Sequence, residues 1–225
     1  MQTNFEVVAP QGAGCHFLRY WGSVGLELIE DTVQEVGYST IKHFENNPFL
    51  PDGFKGKQHI YVSPDTNEYI SRVKNISMRH PFEFIFVQKN PPFEGKRIFV
   101  HCVEEDTKKF CIDLYFAKKK EWDENEIADW TGTEMGYYVA MKPHTLTQHI
   151  KHDMACNDAV IKRFTKLDPN NTIVLDYKKF FIDGNKTHID EIASFFGFEN
   201  TNKTYELIKT YNKKNWEVYE SNSLH

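Results

Sequence analysis

A glycine-containing segment near the start of the chain has the residue types of an anion-binding loop. It runs from Pro10 to Leu18 and joins a predicted strand at 5–9 to a predicted helix at 16–30. Glycines at such a junction let backbone N–H groups converge on an anion, and the helix N-terminus adds partial positive charge. A tight turn without a ligand is the alternative. The pattern predicts a phosphate or sulfate site formed by Gly12, Ala13, Gly14, Cys15, His16 and Phe17.

The same segment departs from the Walker A pattern GxxxxGK[ST]. Gly14 is followed by Cys15 and His16, so the lysine that holds terminal phosphates and the hydroxyl that holds magnesium are both missing. Standard ATP hydrolysis is therefore disfavoured, and so is a nucleotide kinase. A protonated His16 could donate to an anion at this position, although the helix dipole opposes its protonation.

Two further histidines stand where an α/β sheet presents catalytic groups. His59 opens a predicted strand at 59–63, and His101 lies near the carboxyl end of a predicted central strand at 97–103. Open α/β sheets bind ligands at the carboxyl ends of their strands, and histidine is a common general base. Each histidine is a candidate base, with an ordinary structural role as the alternative.

No metal site is predicted. The densest imidazole group comprises His144, His149 and His152 with Asp153, and His149 and His152 share one side of a helix. The chain lacks HExxH or a comparable spacing of three or four ligands, so a solvated helix face is the simpler interpretation.

Composition places the chain among folded proteins. At about 150 residues per domain, 225 residues predict one domain over 1–225, with irregular excursions near 31–58 and 118–144. A net charge of −5 argues against general coating of nucleic acid or membranes. Aromatic residues make up 15% of the chain, enough for a substantial core.

Location is predicted from what the sequence lacks. No apolar run is long enough to cross a membrane, and the first residues have neither a basic region nor a long apolar one. The four scattered cysteines suit a reducing compartment. We therefore expect a cytoplasmic protein.

Hydrophobic periodicity predicts strands alternating with helices. Besides those above, strands are expected at 82–87 and 172–176. Helices are expected at 145–167, 204–219 and from an N-cap at Thr187 to a stop at Gly197. The apolar residues at 110–117 fit both the helical and the strand period, and of the two a helix is favoured. This order predicts a three-layer α/β fold with a largely parallel sheet.

Two segments resemble the sulfotransferase family. The loop at 12–18 is similar to a degenerate form of its phosphosulfate loop, Lys-Ser-Gly-Thr-Thr-Trp-Leu. The stretch from Thr172 to Asp183, followed by the helix ending in Phe195-Phe196-Gly197, resembles the family's strand, Tyr-Glu-Asp-Leu, and helix ending in Phe-Leu-Gly. With the order of elements between them, the resemblance covers most of the chain. It is nearest in kind to small sulfotransferase-like proteins carried by marine bacteriophages.

The resemblance implies a P-loop-type fold that binds 3′-phosphoadenosine 5′-phosphosulfate and transfers its sulfonate to a hydroxyl or amine acceptor. For a phage protein, the compartment would be the host cytoplasm. Gly12 stands where the family has its catalytic lysine, and Cys15 and His16 stand where two hydroxyls contact phosphate. The acids Glu104, Glu105 and Asp106 occupy the stretch where the family places an arginine on the 3′-phosphate. An inactive nucleotide-binding or assembly module on the same fold is the alternative.

Overall fold

The fold is built on a four-stranded parallel sheet. The computed structural model describes residues 4–10, 12–28, 76–79, 81, 93–124 and 143–223. The strands are β1 (Phe5–Val8), β2 (Ile76–Arg79), β3 (Lys96–His101) and β4 (Thr172–Asp176), in the order β2-β1-β3-β4. All three strand pairings are parallel. The predicted α/β class with a parallel sheet is confirmed.

Five α-helices connect or flank these strands in the described part of the chain. They are α1 (Cys15–Gly25), α2 (Glu105–Glu124), α3 (Pro143–Leu167), α4 (Lys186–Phe196) and α5 (Asn202–Ser223). A single 3-10 turn at Pro169–Asn171 precedes β4, and a π-helical turn at Lys178–Ile182 follows it.

Helices cover both faces of the sheet. Successive strand residues point to opposite faces, so Val7 and Val8 belong to different clusters. The larger cluster joins Val7 and its neighbours to α1, α2, α4 and α5, with the ring of Trp21 edge-on to Phe180 and Phe196. The smaller cluster joins Val8 and Phe99 to the α3 residues Val160, Ile161 and Phe164. The result is three layers.

Several predicted elements are confirmed and some boundaries differ. The segment at 110–117 is helical, and residues 118–124, predicted as the start of an excursion, extend the same helix α2. Helix α4 is capped by Asn185, whose side chain accepts from the His188 N–H at 3.0 Å, so the prediction of Thr187 was wrong. Gly197 ends that helix in a left-handed conformation, φ 97°, as predicted. Strand β2 was not predicted. The predicted strands at 59–63 and 82–87 lie outside the described residues, as do 31–58 and 125–142.

Candidate active site at the carboxyl edge of the sheet

Strand order marks one crevice as the place for a ligand. The next strand after β1 lies on one side of β1, whereas the next strand after β3 lies on the opposite side of the sheet. Such a topological switch point opens a crevice between the carboxyl ends of the two central strands. The glycine loop follows β1 and residues 102–104 follow β3, so both segments border this crevice.

The glycine loop has the backbone geometry that glycine permits. Gly12 and Gly14 lie at φ 83° and 78°, in the left-handed region that side chains disfavour. The Ala13 N–H closes a turn on the Pro10 carbonyl at 3.0 Å, and Gly14 is the N-cap residue of α1. Gly12, Ala13 and Gly14 of the predicted loop therefore form the turn before α1. The other three predicted residues, Cys15, His16 and Phe17, begin α1.

Neighbouring elements pack directly on both glycines. A Cβ on Gly12 would lie 3.2 Å from the Cys111 carbonyl oxygen and 3.3 Å from the Tyr115 Cβ. A Cβ on Gly14 would lie 3.1 Å from the Phe181 ring. A side chain at either glycine would press on a neighbouring element, so close packing alone requires glycine at both positions. Position 12, where the resembled family has lysine, lies tight against α2.

The first turn of α1 is held by aromatic packing. The Phe17 ring is buried and stacks on Tyr211, with ring centroids 4.2 Å apart, and lies edge-on to Phe181 at 5.6 Å. Phe17 therefore has its backbone at the helix start and its side chain in the core. Cys15 is half-buried, and the side chain of His16 lies outside the described residues.

His101 is paired with a carboxylate at the carboxyl end of β3. Its Nε2 lies 2.9 Å from Asp158 Oδ1 on α3, and the two side chains are 25% and 49% exposed. A carboxylate oxygen only accepts, so the bonded Nε2 carries the hydrogen and Nδ1 of the neutral ring remains an acceptor. This is the arrangement of an oriented general base. His101 was predicted, but Asp158 was missed because no local pattern links residues 57 positions apart.

The end of β4 adds a third polar position. Asp176 is the register partner of His101 in the parallel ladder. Its carboxylate accepts from the Lys179 N–H at 3.2 Å and lies 3.5 Å from Lys179 Nζ. Its own N–H donates to Nε2 of His188 at 3.0 Å, so this ring is protonated on Nδ1, which faces Glu191 at 3.2 Å. His188 therefore fixes the start of α4 to the end of β4.

The acids after β3 are neutralised by lysines. Glu104 accepts from Lys178 Nζ at 2.9 and 3.1 Å, which ties the segment after β3 to the segment after β4. Glu105 accepts from Lys108 at 3.0 Å. The hydrogen bond with Glu104 raises the pKa of Lys178, and the hydrogen bond with Glu105 raises the pKa of Lys108. Both lysines stay charged and offset the charges of Glu104 and Glu105, a pairing that the sequence pattern did not reveal.

Two other histidines considered in the sequence analysis, His59 and His152, add little evidence of a functional site. His59, the second candidate base, lies outside the described residues. His152 is exposed on α3, where its Nε2 lies 3.4 Å from Sγ of Cys156. Within the described residues, no group of three or more His, Cys, Asp or Glu side chains is placed to hold a metal ion.

Comparison with known proteins does not identify a relative. No family model, no curated protein and no solved structure matches the chain. In the described part of the chain, no helix has the length and apolar character that a membrane span requires. An α/β architecture hosts many activities, so function has to be argued from the site.

Proposed function

We propose that the protein is a sulfotransferase-like enzyme that transfers a sulfonate from 3′-phosphoadenosine 5′-phosphosulfate to a hydroxyl or amine acceptor. The observation that carries the proposal is His101, held by Asp158 at the carboxyl end of β3. β3 adjoins β1, whose following loop has two left-handed glycines. The candidate base and the glycine loop, which is the proposed anion site, thus border one crevice.

In this proposal the loop binds the phosphosulfate through its backbone. Gly12 and Gly14 leave no room for side chains, so only main-chain groups can line the turn. Main-chain N–H groups at a helix N-terminus stabilise phosphate and sulfate oxygens and the charge that develops on them during transfer. When bound, the donor supplies an activated sulfonate whose sulfur–oxygen bond to phosphate breaks in the transfer.

His101 supplies the proton acceptor in this proposal. Its Nδ1 takes the proton from the acceptor hydroxyl or amine, while Asp158 keeps the ring oriented and stabilises the imidazolium. Lys108 in α2, which is paired with Glu105, also interacts electrostatically with the Asp158 carboxylate. The protein's contribution is therefore positioning, electrostatic stabilisation and one proton transfer.

A nucleotide-binding module without transfer is the second candidate. The observation that favours it is the tight packing of Gly12 against α2. This is the position at which the family has its lysine, and the loop has none. Both candidate functions place the anion at the glycine loop, and they differ only in the chemistry at His101. Binding and transfer therefore have to be measured separately.

Binding is tested by calorimetric titration with 3′-phosphoadenosine 5′-phosphate. Gly14→Ala and Gly14→Asp share the backbone strain and the contact with Phe181, but only the second adds a carboxylate. We expect micromolar binding to the unaltered chain, weaker binding to Gly14→Ala and no binding to Gly14→Asp. Gly197→Asp, at a left-handed glycine with open space around it, is the matched control and should bind normally. If the unaltered chain gives no heat of binding, the proposed donor is overturned. Magnesium-dependent ATP binding would instead indicate a kinase.

Transfer is tested with water as the acceptor, because it needs no knowledge of the natural one. Sulfate release from 3′-phosphoadenosine 5′-phosphosulfate is measured for the unaltered chain, His101→Gln and Asp158→Asn. Loss of a general base typically costs about 10²- to 10⁴-fold, and we expect that range for His101→Gln with nucleotide binding unchanged. Tight binding without sulfate release from any of the three would support the binding module.

A further inference from the structure

Two buried cysteines meet beside the carboxyl end of β3. Cys102 follows the last residue of β3, and Cys111 lies in α2. Their sulfur atoms are 3.7 Å apart, and both residues are free thiols, with Cys102 2% exposed and Cys111 fully enclosed. In the sequence they are simply two of four scattered cysteines, because the connection after β3 and about two turns of α2 separate them.

We propose that Cys102 and Cys111 are an oxidation site, at which a peroxide converts the two thiols into a disulfide. In the first step one thiol is oxidised to a sulfenic acid, and hydrogen peroxide is reduced with release of one water. In the second step the other thiol attacks that sulfur, the sulfur–sulfur bond forms and a second water leaves. The protein loses two hydrogen atoms, and one peroxide becomes two waters.

The local backbone allows the bond to form. The sulfurs must approach by roughly 1.7 Å to reach the bonded distance of about 2.05 Å. Cys111 is held within α2, whereas Cys102 lies in the irregular connection between β3 and α2. Cys102 is therefore the residue that moves.

The surroundings of the pair slow its oxidation. The hydrogen bond with Cys111, together with burial, raises the pKa of Cys102 well above its usual range. The thiolate is the reactive form, so the pair reacts more slowly than an exposed thiol and needs sustained exposure to oxidant. Lys108 acts in the opposite direction by favouring the Cys102 thiolate.

The disulfide would lie close to both segments that border the crevice. Cys102 is adjacent to His101, and the Cys111 carbonyl oxygen lies 3.2 Å from the place that a Cβ on Gly12 would occupy. Any effect on anion binding rests on the proposed function, whereas formation of the bond does not. The test therefore follows the bond itself.

The experiment is a non-reducing tryptic map of the folded chain after treatment with hydrogen peroxide. Cleavage after Arg97, Lys108 and Lys109 places Cys102 in peptide 98–108 and Cys111 in peptide 110–118. We expect these peptides joined at a mass about 2 Da below their sum, and separated again by dithiothreitol. Thiols that remain reduced, or become irreversibly oxidised without the joined peptide, would overturn the proposal.

Matched variants assign the bond. Cys156→Ala removes a buried cysteine outside the pair and should leave the joined peptide unchanged. Cys111→Ala should abolish it. A joined product that links 98–108 to a peptide other than 110–118 in the unaltered chain would contradict the assignment, and this measurement does not depend on whether any nucleotide binds.

Discussion

Strand β3 carries two ion-pairing residues on the same face, one near each end, and they lie in opposite environments. Near the amino end, Arg97 Nε is 2.7 Å from Glu6 on β1, and their side chains are 7% and 1% exposed. At the carboxyl end, His101 is 2.9 Å from Asp158, and both side chains reach solvent. The distances are similar, so burial and not geometry separates the two pairs.

The buried pair belongs to the architecture. Arg97 lies over the rings of Phe93 and Phe164, at 5.1 and 4.8 Å, and Glu6 is enclosed beside it. A buried charge that loses its partner has no water to replace it, whereas an exposed charge does. Each charge of the pair in the amino half of the sheet is thus required for stability while the other is present, whereas the protein can lose a charge at the carboxyl edge without unfolding.

The largest expected effect is at Glu6. We expect Glu6→Gln to lower the free energy of unfolding by about 3–5 kcal/mol, because it removes the charge of a buried carboxylate that accepts a hydrogen bond from the buried Arg97 guanidinium. Urea denaturation measures the change. Glu104→Gln, the same substitution in the exposed pair with Lys178, is the control and should cost at most about 1 kcal/mol. Equal losses for the two variants would contradict the comparison.

Replacing both buried charges should undo most of that loss. In the double variant Glu6→Leu with Arg97→Met, apolar side chains of similar size fill the space without a desolvation cost. Such replacements are often neutral or stabilising, so we expect stability within about 2 kcal/mol of the unaltered chain. A double variant as unstable as Glu6→Gln would show that the charges themselves hold the sheet together.

A smaller effect is expected at His188. Removing its ring in His188→Ala leaves the partly buried Asp176 N–H without its acceptor, which typically costs about 1–2 kcal/mol. Urea denaturation again gives the value. Lys179→Ala, which removes an exposed partner of the same Asp176, is the control and should change stability little.

Tyr205 tests an intermediate degree of burial. The Tyr205 hydroxyl donates a hydrogen bond to Asp190. Burial makes the largest contribution, and this hydrogen bond the next, to raising the pKa of Tyr205 to about 12 from an ordinary value near 10. The neutral phenol is favoured in the folded state, so its stabilisation is complete below pH 10 and is lost as the pH rises towards 12. We expect Tyr205→Phe to cost about 1 kcal/mol at pH 7 and to show a shallower loss of stability between pH 10 and 12. Parallel pH profiles for the two proteins would contradict this assignment.

The smallest effect on stability is expected at His101. His101→Gln breaks an exposed pair and should change the free energy of unfolding by less than about 1 kcal/mol. Its effect on sulfate release should nevertheless be the largest in the set. A destabilisation comparable to that of Glu6→Gln would make His101 a structural residue and remove the main support for catalysis.

Local patterns predicted much of the fold and part of the site. The 3.6-residue period in α1 and α3 and the apolar run in β4 were sufficient, because each element buries a continuous face. Strand β2 was missed because only Ile76 and Met78 of its four residues are apolar, so it lacks the apolar run that marks β4. His101 was found because it ends an apolar strand, whereas its partner Asp158 lies on an exposed helix face with no local signal.

The sequence by itself determined the α/β class, the position of the glycine turn after the first strand and the absence of the Walker lysine. These depend on residues close together along the chain, where periodicity and backbone preference act directly. Only the tertiary structure decided that His101 faces Asp158, that lysines neutralise Glu104 and Glu105, and that Cys102 meets Cys111. Such contacts depend on strand order and helix packing, which bring together side chains from elements that no local pattern connects.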